Sequence, residues 1–231
     1  FFPRSGSDFS FTLTLTPPYS LFDGKNYKGL ADNPNSADYQ REAQEKYRWI
    51  EYHKWSLKFR TYTALSSSFK HSPVLMTRTE FGILGAYNKY RKSPFETYYM
   101  GGDGMSGYSS SYANDVIGLR GYENGSIAGN FAGTRNNAYA YSRLTLELRY
   151  PLMLETATSI YALAFAEAGN AWTDVNRMNP FKLKTSAGVG VRILLPMIGL
   201  MGIDWAYGFK KTEFGQKIGG SQFHFVLGQE F

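Results

Sequence analysis

A hydrophobic period of two dominates this sequence and limits the folds that it can adopt. In "SDFSFTLTLT", serine and threonine alternate with Phe9, Phe11, Leu13 and Leu15. Such alternation places the apolar side chains on one face of a β-strand and the polar ones on the other. Helical periodicity is nearly absent, and only "ADYQREAQEKYRW" predicts one or two helical turns. The sequence therefore predicts an all-β protein.

Eight segments carry this strand pattern, and the links between them alternate between long and short. The segments are 7–18, 53–65, 73–88, 142–151, 158–172, 181–193, 200–209 and 221–231. Long links alternating with short ones are typical of an antiparallel meander whose two ends face different compartments. Outer-membrane barrels have this arrangement, with short periplasmic turns and long outer loops. The pattern predicts an antiparallel transmembrane β-barrel meander.

A soluble β-sandwich or a lipocalin-like barrel also alternates, so the two faces must be compared. Lysine, arginine and glutamate repeat on one face of several strands, while tryptophan, phenylalanine and leucine occupy the other. Aromatic residues make up 17% of the chain and are frequent at strand ends, as in the aromatic girdles of membrane barrels. The sequence contains no run of about 18 apolar residues, so it does not predict a transmembrane helix. The aromatic content favours the membrane barrel.

Composition argues against several other functions. The chain has no cysteine and only His53, His71 and His224, which argues against a thiolate or histidine metal site, and we expect no cofactor. The net charge of +6 is spread over the whole length, which argues against nucleic-acid binding. Residues 102–107 match G-x-G-x-x-G by letter, but no helix pattern follows them. No triad motif is present, so we expect no enzyme.

The long segment 89–137 bears on the size of the barrel. The interior of an eight-stranded barrel is just filled by its own side chains. It could not admit a folded loop of about fifty residues, so a loop inside the lumen requires a wider barrel. The abrupt start at Phe1 then suggests that the chain is half of such a barrel.

One motif in this segment, Leu119-Arg120-Gly121-Tyr122, identifies a family resemblance. It resembles the [V/L/I]-R-G-[F/Y] motif in the sixth outer loop of the BamA family, also known as the bacterial surface antigen barrel family. The stretches "AFAEAGNAW" at 164–172, "RLTLELRYPL" and "LPMIGLMGIDWAYGF" resemble family strands in order and spacing. The resemblance spans the chain and implies the last eight strands of a sixteen-stranded barrel. The first eight strands and the POTRA repeats of the family are missing here.

The resemblance also implies roles for particular residues. Residues 89–137 would form an outer loop that folds into the lumen, where Arg120 would meet acidic residues of the wall. Alternation supplies Glu147, on the polar face of its strand. Glu167 shares a face with Leu163 and Phe165, and the family motif implies that this face points inward. The end of the chain resembles the β-signal by which barrel proteins are recognised for insertion, carried by Phe223, Phe225, Leu227 and Phe231.

The function implied by the resemblance is the non-enzymatic assembly and insertion of other barrel proteins in the bacterial outer membrane. The last strand, 221–231, would form one side of a lateral seam. The implied partners are unfolded outer-membrane clients, accessory lipoproteins, the lipid bilayer and lipopolysaccharide. Two alternatives stay open: a protein-translocating pore of the same family, of the two-partner secretion type, and a passive small outer-membrane barrel.

Overall fold

The fold is an eight-stranded antiparallel meander, which confirms the predicted fold class. The computed structural model describes residues 2–67, 72–104, 115–127, 138–155, 158–195, 199–213 and 215–228. The strands of the main sheet are β1 Ser5–Leu15, β2 His53–Ala64, β3 Val74–Gly85, β6 Ala140–Leu154, β7 Ser159–Trp172, β8 Lys184–Leu195, β9 Gly199–Gly208 and β12 Ser221–Leu227. They pair in chain order, and within the described strands β1 and β12 form the two edges of an open sheet.

The remaining elements lie in the long links. The helix α1 spans Tyr39–Lys46, and 3-10 turns span Tyr19–Leu21 and Val175–Arg177. In the segment 89–137, β4 Tyr98–Met100 pairs in parallel with β5 Asp115–Ile117. The hairpin of β10 Thr212–Glu213 and β11 Gln216–Lys217 precedes β12. Among the described residues, no helix is long and apolar enough to cross a membrane.

One face of the main sheet, here called the outer face, exposes large apolar side chains. Cross-strand register places them side by side: Leu148 opposes Ala164, which opposes Val189, which opposes Trp205. The exposed set on this face includes Phe9, Phe11, Leu13, Leu15, Trp55, Phe59, Leu144, Leu146, Leu148, Tyr150, Val189, Val191, Ile203, Trp205, Phe223, Phe225 and Leu227. A soluble protein does not expose an apolar band of this extent, whereas a lipid-facing wall requires one.

The opposite face, here called the inner face, is polar and buried. Its buried polar and charged side chains come from seven of the eight strands: Lys54, Arg78, Glu80, Arg143, Glu147, Arg149, Glu167, Lys184, Arg192, Asp204 and His224. Described residues of the segment 89–137, among them Leu119, Arg120 and Tyr122, pack against this face. A soluble barrel or sandwich has the opposite polarity, because it keeps its apolar face inside. The observed polarity therefore excludes the soluble β-sandwich and the lipocalin-like barrel.

The strand bounds differ from the sequence pattern at one clear place. The pattern predicts that a strand begins at Phe181, but β8 begins at Lys184. Residues 179–182 form a turn, in which Asn179 Oδ1 accepts a hydrogen bond of 3.0 Å from the Phe181 amide. Phe181 is exposed in this turn, so its place in the alternation was coincidental. Phe231, of the expected β-signal, lies outside the described residues.

Candidate functional site

The motif 119–122 is carried by backbone bonds within its own loop. The Leu119 amide donates to the Gly102 carbonyl at 3.1 Å, and the Gly101 amide donates to the Ile117 carbonyl at 2.9 Å. Isolated bridges join Tyr98 to residue 138 and Met100 to residue 127. These bonds give the loop a small sheet of its own and so fix the direction in which the motif points.

An apolar cluster packs this small sheet against the inner face of the main eight-stranded sheet, here called the wall. It combines loop residues with residues of β3, β6 and β7, and its members are Leu84, Tyr98, Met100, Ile117, Leu119, Tyr122, Ile127, Ala138, Tyr141, Ala171 and Ile218. Leu119 and Tyr122, which flank the Arg-Gly pair, are completely buried. The Tyr122 hydroxyl donates to the Thr185 carbonyl of β8 at 2.7 Å. The two apolar positions of the motif therefore anchor it to the wall on both sides of Arg120.

Arg120 is the centre of the site and has no solvent exposure. Its Nη2 donates to Glu167 Oε1 at 2.9 Å and to Glu147 Oε2 at 3.2 Å, and its Nη1 donates to Asp204 Oδ2 at 3.0 Å. The Arg120 amide donates to Glu167 Oε2 at 2.9 Å. A planar guanidinium has five donors in a fixed fork, and this geometry lets one side chain reach three carboxylates. Burial alone would lower the pKa of Arg120, but the carboxylates outweigh it and raise the pKa, so the guanidinium stays charged.

Each of the three carboxylates also has an arginine partner on the wall itself. Arg149 Nε lies 2.7 Å from Glu147 Oε1, and Arg143 Nη2 lies 2.9 Å from Glu167 Oε1. Arg192 is bidentate to Asp204, with Nη1 at 2.6 Å from Oδ1 and Nη2 at 2.7 Å from Oδ2. The wall is thus charge-compensated at these positions before the loop contributes, and Arg120 enters as a fourth guanidinium shared among three pairs.

Phe165 of β7 faces inward and stacks against the guanidinium of Arg120. The guanidinium carbon of Arg120 lies 3.4 Å from the centroid of the Phe165 ring. Arginine stacks well on aromatic faces, and a desolvated cation–π contact of this kind contributes about 2 kcal/mol. Phe165 itself packs with Tyr161, Leu163 and Ala206. The inner face of β7 therefore supplies both the carboxylate and the aromatic surface that Arg120 contacts.

Gly121 lets the loop backbone approach the wall closely. Its φ is +85°, a value that L-residues with a Cβ rarely adopt. A Cβ atom at this position would lie 2.6 Å from the backbone nitrogen of Gly208, at the end of β9. The Gly121 carbonyl also accepts a hydrogen bond of 3.2 Å from the Gly220 amide. Gly208, at the end of β9, and Gly220, directly before β12, therefore both meet the motif.

Replacing Gly121 with alanine is expected to destabilise docking of the loop. The positive φ alone costs on the order of 1–3 kcal/mol for a residue with a Cβ, and the clash with backbone atoms adds to it. Gly215→Ala is the matched control, because Gly215 has a φ of +78° but open space around its Cβ position. Limited proteolysis of the loop in the folded barrel is the measurement. Equal protection of the two variants would show that close approach is not required at Gly121.

His224 contacts the motif, although the sequence analysis did not assign it to the site. It lies in the middle of β12, is 5% exposed, and its Nε2 accepts a hydrogen bond of 2.8 Å from the Gly121 amide. The same strand carries three apolar residues of the expected β-signal, Phe223, Phe225 and Leu227, all exposed on the outer face. Each face of β12 therefore has a separate environment.

The sequence analysis also missed Asp204, although alternation had placed it on the polar face of its strand. No motif distinguishes it from other strand aspartates. The signal that could have found Asp204 is the pair of strand glycines Gly190 and Gly202. Gly190 lies directly opposite Asp204, and Gly202 lies directly opposite its partner Arg192. Among the described residues, no group of acidic and histidine side chains could hold a metal ion.

An antiparallel meander with an apolar outer face and a loop on a charged inner face defines an outer-membrane β-barrel wall. Comparison with known proteins gives the family. The model of the Omp85 superfamily domain matches residues 1–231, and the chain belongs to this superfamily.

Among solved structures, the chain is similar to BamA from Haemophilus ducreyi, crystallised without POTRA domains 1–3. The TM-score is 0.61 at 20% identity, and the match covers 98% of this chain and 39% of that chain. The chain thus spans about two fifths of that structure's length. No curated protein matches the chain.

Proposed function

We propose that this chain forms the C-terminal half of a BamA-type barrel that folds and inserts other barrel proteins into the bacterial outer membrane. The work is non-enzymatic, since it makes and breaks no covalent bonds. The observation that carries the proposal is the combination found at β12: an edge strand with an apolar outer face, tied on its inner face to the motif of the loop 89–137.

Edge strands present unpaired N–H and C=O groups, which are a template for another strand. In hydrocarbon, each unsatisfied backbone group costs several kcal/mol, so an unfolded client strand needs a partner before it meets lipid. In the described strands, β12 pairs through residues 221–227 with β9 and leaves its other edge open. We propose that this edge forms one side of a lateral seam and pairs with the client.

The loop contacts support a role in holding that edge. The Glu123 amide donates to the Ile218 carbonyl at 2.8 Å, directly before β12. His224 then receives the Gly121 amide from within the strand. Docking of Arg120 on Glu147, Glu167 and Asp204 therefore fixes the inner side of the seam strand as well as the loop.

The partners follow from this role. Unfolded outer-membrane proteins are the clients, and the apolar outer face meets the lipid bilayer, with lipopolysaccharide in the outer leaflet. By analogy with other outer-membrane barrels, the strand ends that are joined by the long links 16–52 and 86–139 would face outward, and the ends that are joined by short turns would face the periplasm. Accessory lipoproteins complete the assembly complex.

Photo-crosslinking from the edge strand tests the proposal. A photoreactive amino acid replaces Phe225 of β12 in the full-length protein, and Leu146 of β6 is the control. Both residues lie on the outer face and are about equally exposed, at 57% and 49%. We expect a client protein arrested during insertion to cross-link at position 225 and to give little product at position 146. Equal yields at the two positions would contradict an assembly edge at β12.

The second candidate is a translocating pore of the same superfamily, since the shared fold and lumen motif favour it equally. A pore would pass an unfolded chain along the inner face. A photoreactive residue at Ser56, whose position on β2 pairs with Thr12 and faces inward, distinguishes the two. Cross-links of a passing chain to position 56, with none to position 225, would favour the pore.

A further inference from the structure

We propose that His224 is a positioning residue that couples the last strand to the lumen motif, and that protonation of its imidazole releases this coupling. The coupling itself is a structural property of the chain. Its importance for assembly rests on the proposed function, in which β12 is the strand that receives the client.

The first step is the direction of the hydrogen bond. The Gly121 amide is a donor, so Nε2 of His224 must carry a lone pair, and the bond length is 2.8 Å. A neutral imidazole has one donor and one acceptor nitrogen, whereas the imidazolium has two donors. The docked arrangement is therefore specific for the neutral side chain with its proton on Nδ1.

The second step is the position of this bond among the contacts of β12. The other bonds between the loop and this region involve residues before the strand: the Gly220 amide donates to the Gly121 carbonyl, and the Glu123 amide and the Ser126 hydroxyl donate to the Ile218 carbonyl. Within Ser221–Leu227, His224 is the residue whose side chain bonds to the motif, as far as the described residues extend. Loss of this bond would leave the strand attached to the loop only at its outer end.

The third step is the charge around the imidazole. The groups that act on it are Asp103 and Arg120 of the loop, Asp204 of β9 and Glu167 of β7. The carboxylates are already held by arginines, as described above for Glu167 and Asp204. A proton on Nε2 would face the Gly121 N–H at hydrogen-bond distance, donor against donor. The imidazolium must then leave this position, and the link between strand and motif is lost.

The sign of the pH dependence follows from linkage. The docked state accepts the Gly121 hydrogen bond and excludes the proton, whereas the released state binds it. Since the state that binds fewer protons is favoured at higher pH, coupling is expected to weaken as pH falls through the histidine range.

Hydrogen–deuterium exchange of the full-length protein in detergent micelles tests the proposal without any client. Exchange rates are corrected for the intrinsic pH dependence of amide exchange. His224→Leu removes the acceptor, whereas His224→Gln offers an amide oxygen at similar reach. We expect His224→Leu to raise exchange in peptides covering 119–123 and 221–227 roughly threefold to tenfold, the effect of one net hydrogen bond. We expect His224→Gln to stay close to the wild type at pH 7.5.

The pH profile separates coupling from simple packing. Between pH 7.5 and 5, protection of the same peptides should fall in the wild type and stay constant in His224→Gln. The matched control is His53→Gln, because His53 bonds Trp55 on β2, away from the motif, and it should keep the wild-type profile.

Two results would overturn the proposal: unchanged exchange in His224→Leu, or a wild-type pH profile in His224→Gln. If His224→Leu does not fold, the profile of His224→Gln decides alone. Exchange is measured without a client protein. A failure of client cross-linking at β12 would therefore count against the proposed function, but the exchange result for His224 could still be interpreted.

Discussion

Replacing Arg120 with alanine is expected to release the motif 119–122 from the inner face while the eight-stranded sheet stays folded. The reason is the charge balance of the wall. After the change, Glu147, Glu167 and Asp204 each keep an arginine partner on the sheet. The wall therefore retains its three carboxylate–arginine pairs. The loop, in contrast, loses the three carboxylate contacts that the Arg120 side chain makes. A structure in which Arg120 held the carboxylates alone would predict a misfolded barrel instead.

The expected effect on docking is large. Losing charge-assisted hydrogen bonds to carboxylates that stay paired costs about 1.5–3 kcal/mol, and losing the stacking of Arg120 on Phe165 costs about 2 kcal/mol more. A change of 3 kcal/mol raises the undocked fraction more than about a hundredfold. Protease sensitivity of the loop should rise accordingly, and assembly activity should fall, while heat-modifiable mobility on a gel should still report a folded barrel.

Two further variants make this test specific. Arg91→Ala removes another buried guanidinium, which donates to the Lys46 carbonyl in the outer loops, and should leave the motif docked. The double change Glu147→Gln and Glu167→Gln should resemble Arg120→Ala and add little to it, because residues of one network are not additive. Full additivity, or an unchanged loop in Arg120→Ala, would contradict the account.

Replacing Phe225 with lysine is expected to impair assembly of the protein itself. Phe225 is 57% exposed on the outer face, between Phe223 and Leu227. A lysine on the lipid face costs about 2–4 kcal/mol near the midplane and less near the interface. The folded fraction, read from heat-modifiable mobility after membrane insertion, should fall. Phe231 lies outside the described residues, so a charge there stays a prediction from sequence alone.

Gln222→Lys is the control for that variant, because residue 222 shares the strand but points to the inner face with His224 and Val226. The same charge should then be tolerated. If Phe225→Lys folds as well as Gln222→Lys, the outer face of β12 does not meet lipid.

Much of the fold could be predicted because alternation is a local property. A period of two fixes which side chains share a face, and the face then fixes the environment, as for Leu144, Leu146 and Leu148 on β6. The same reasoning failed at Phe181, since a turn preserves spacing without preserving strand geometry. Alternation does not report where backbone pairing begins.

The site was less predictable, for a related reason. The resemblance supplied Arg120 and the inward direction of Glu167, and alternation supplied Glu147 as an inward carboxylate. Asp204 and His224 had the correct face, but which inward residues meet depends on register across several strands and on the path of the loop. Glycines at close approaches, such as Gly121 against Gly208, are also set by tertiary contacts that no local pattern contains.

The central claim is that the docked motif holds β12 where a client strand can pair with it. The most direct test is client cross-linking from position 225, compared between the wild type and Arg120→Ala in folded, full-length protein. The account predicts that the yield falls severalfold in Arg120→Ala while the barrel remains heat-modifiable. An undiminished yield from a barrel whose loop is demonstrably released would contradict it.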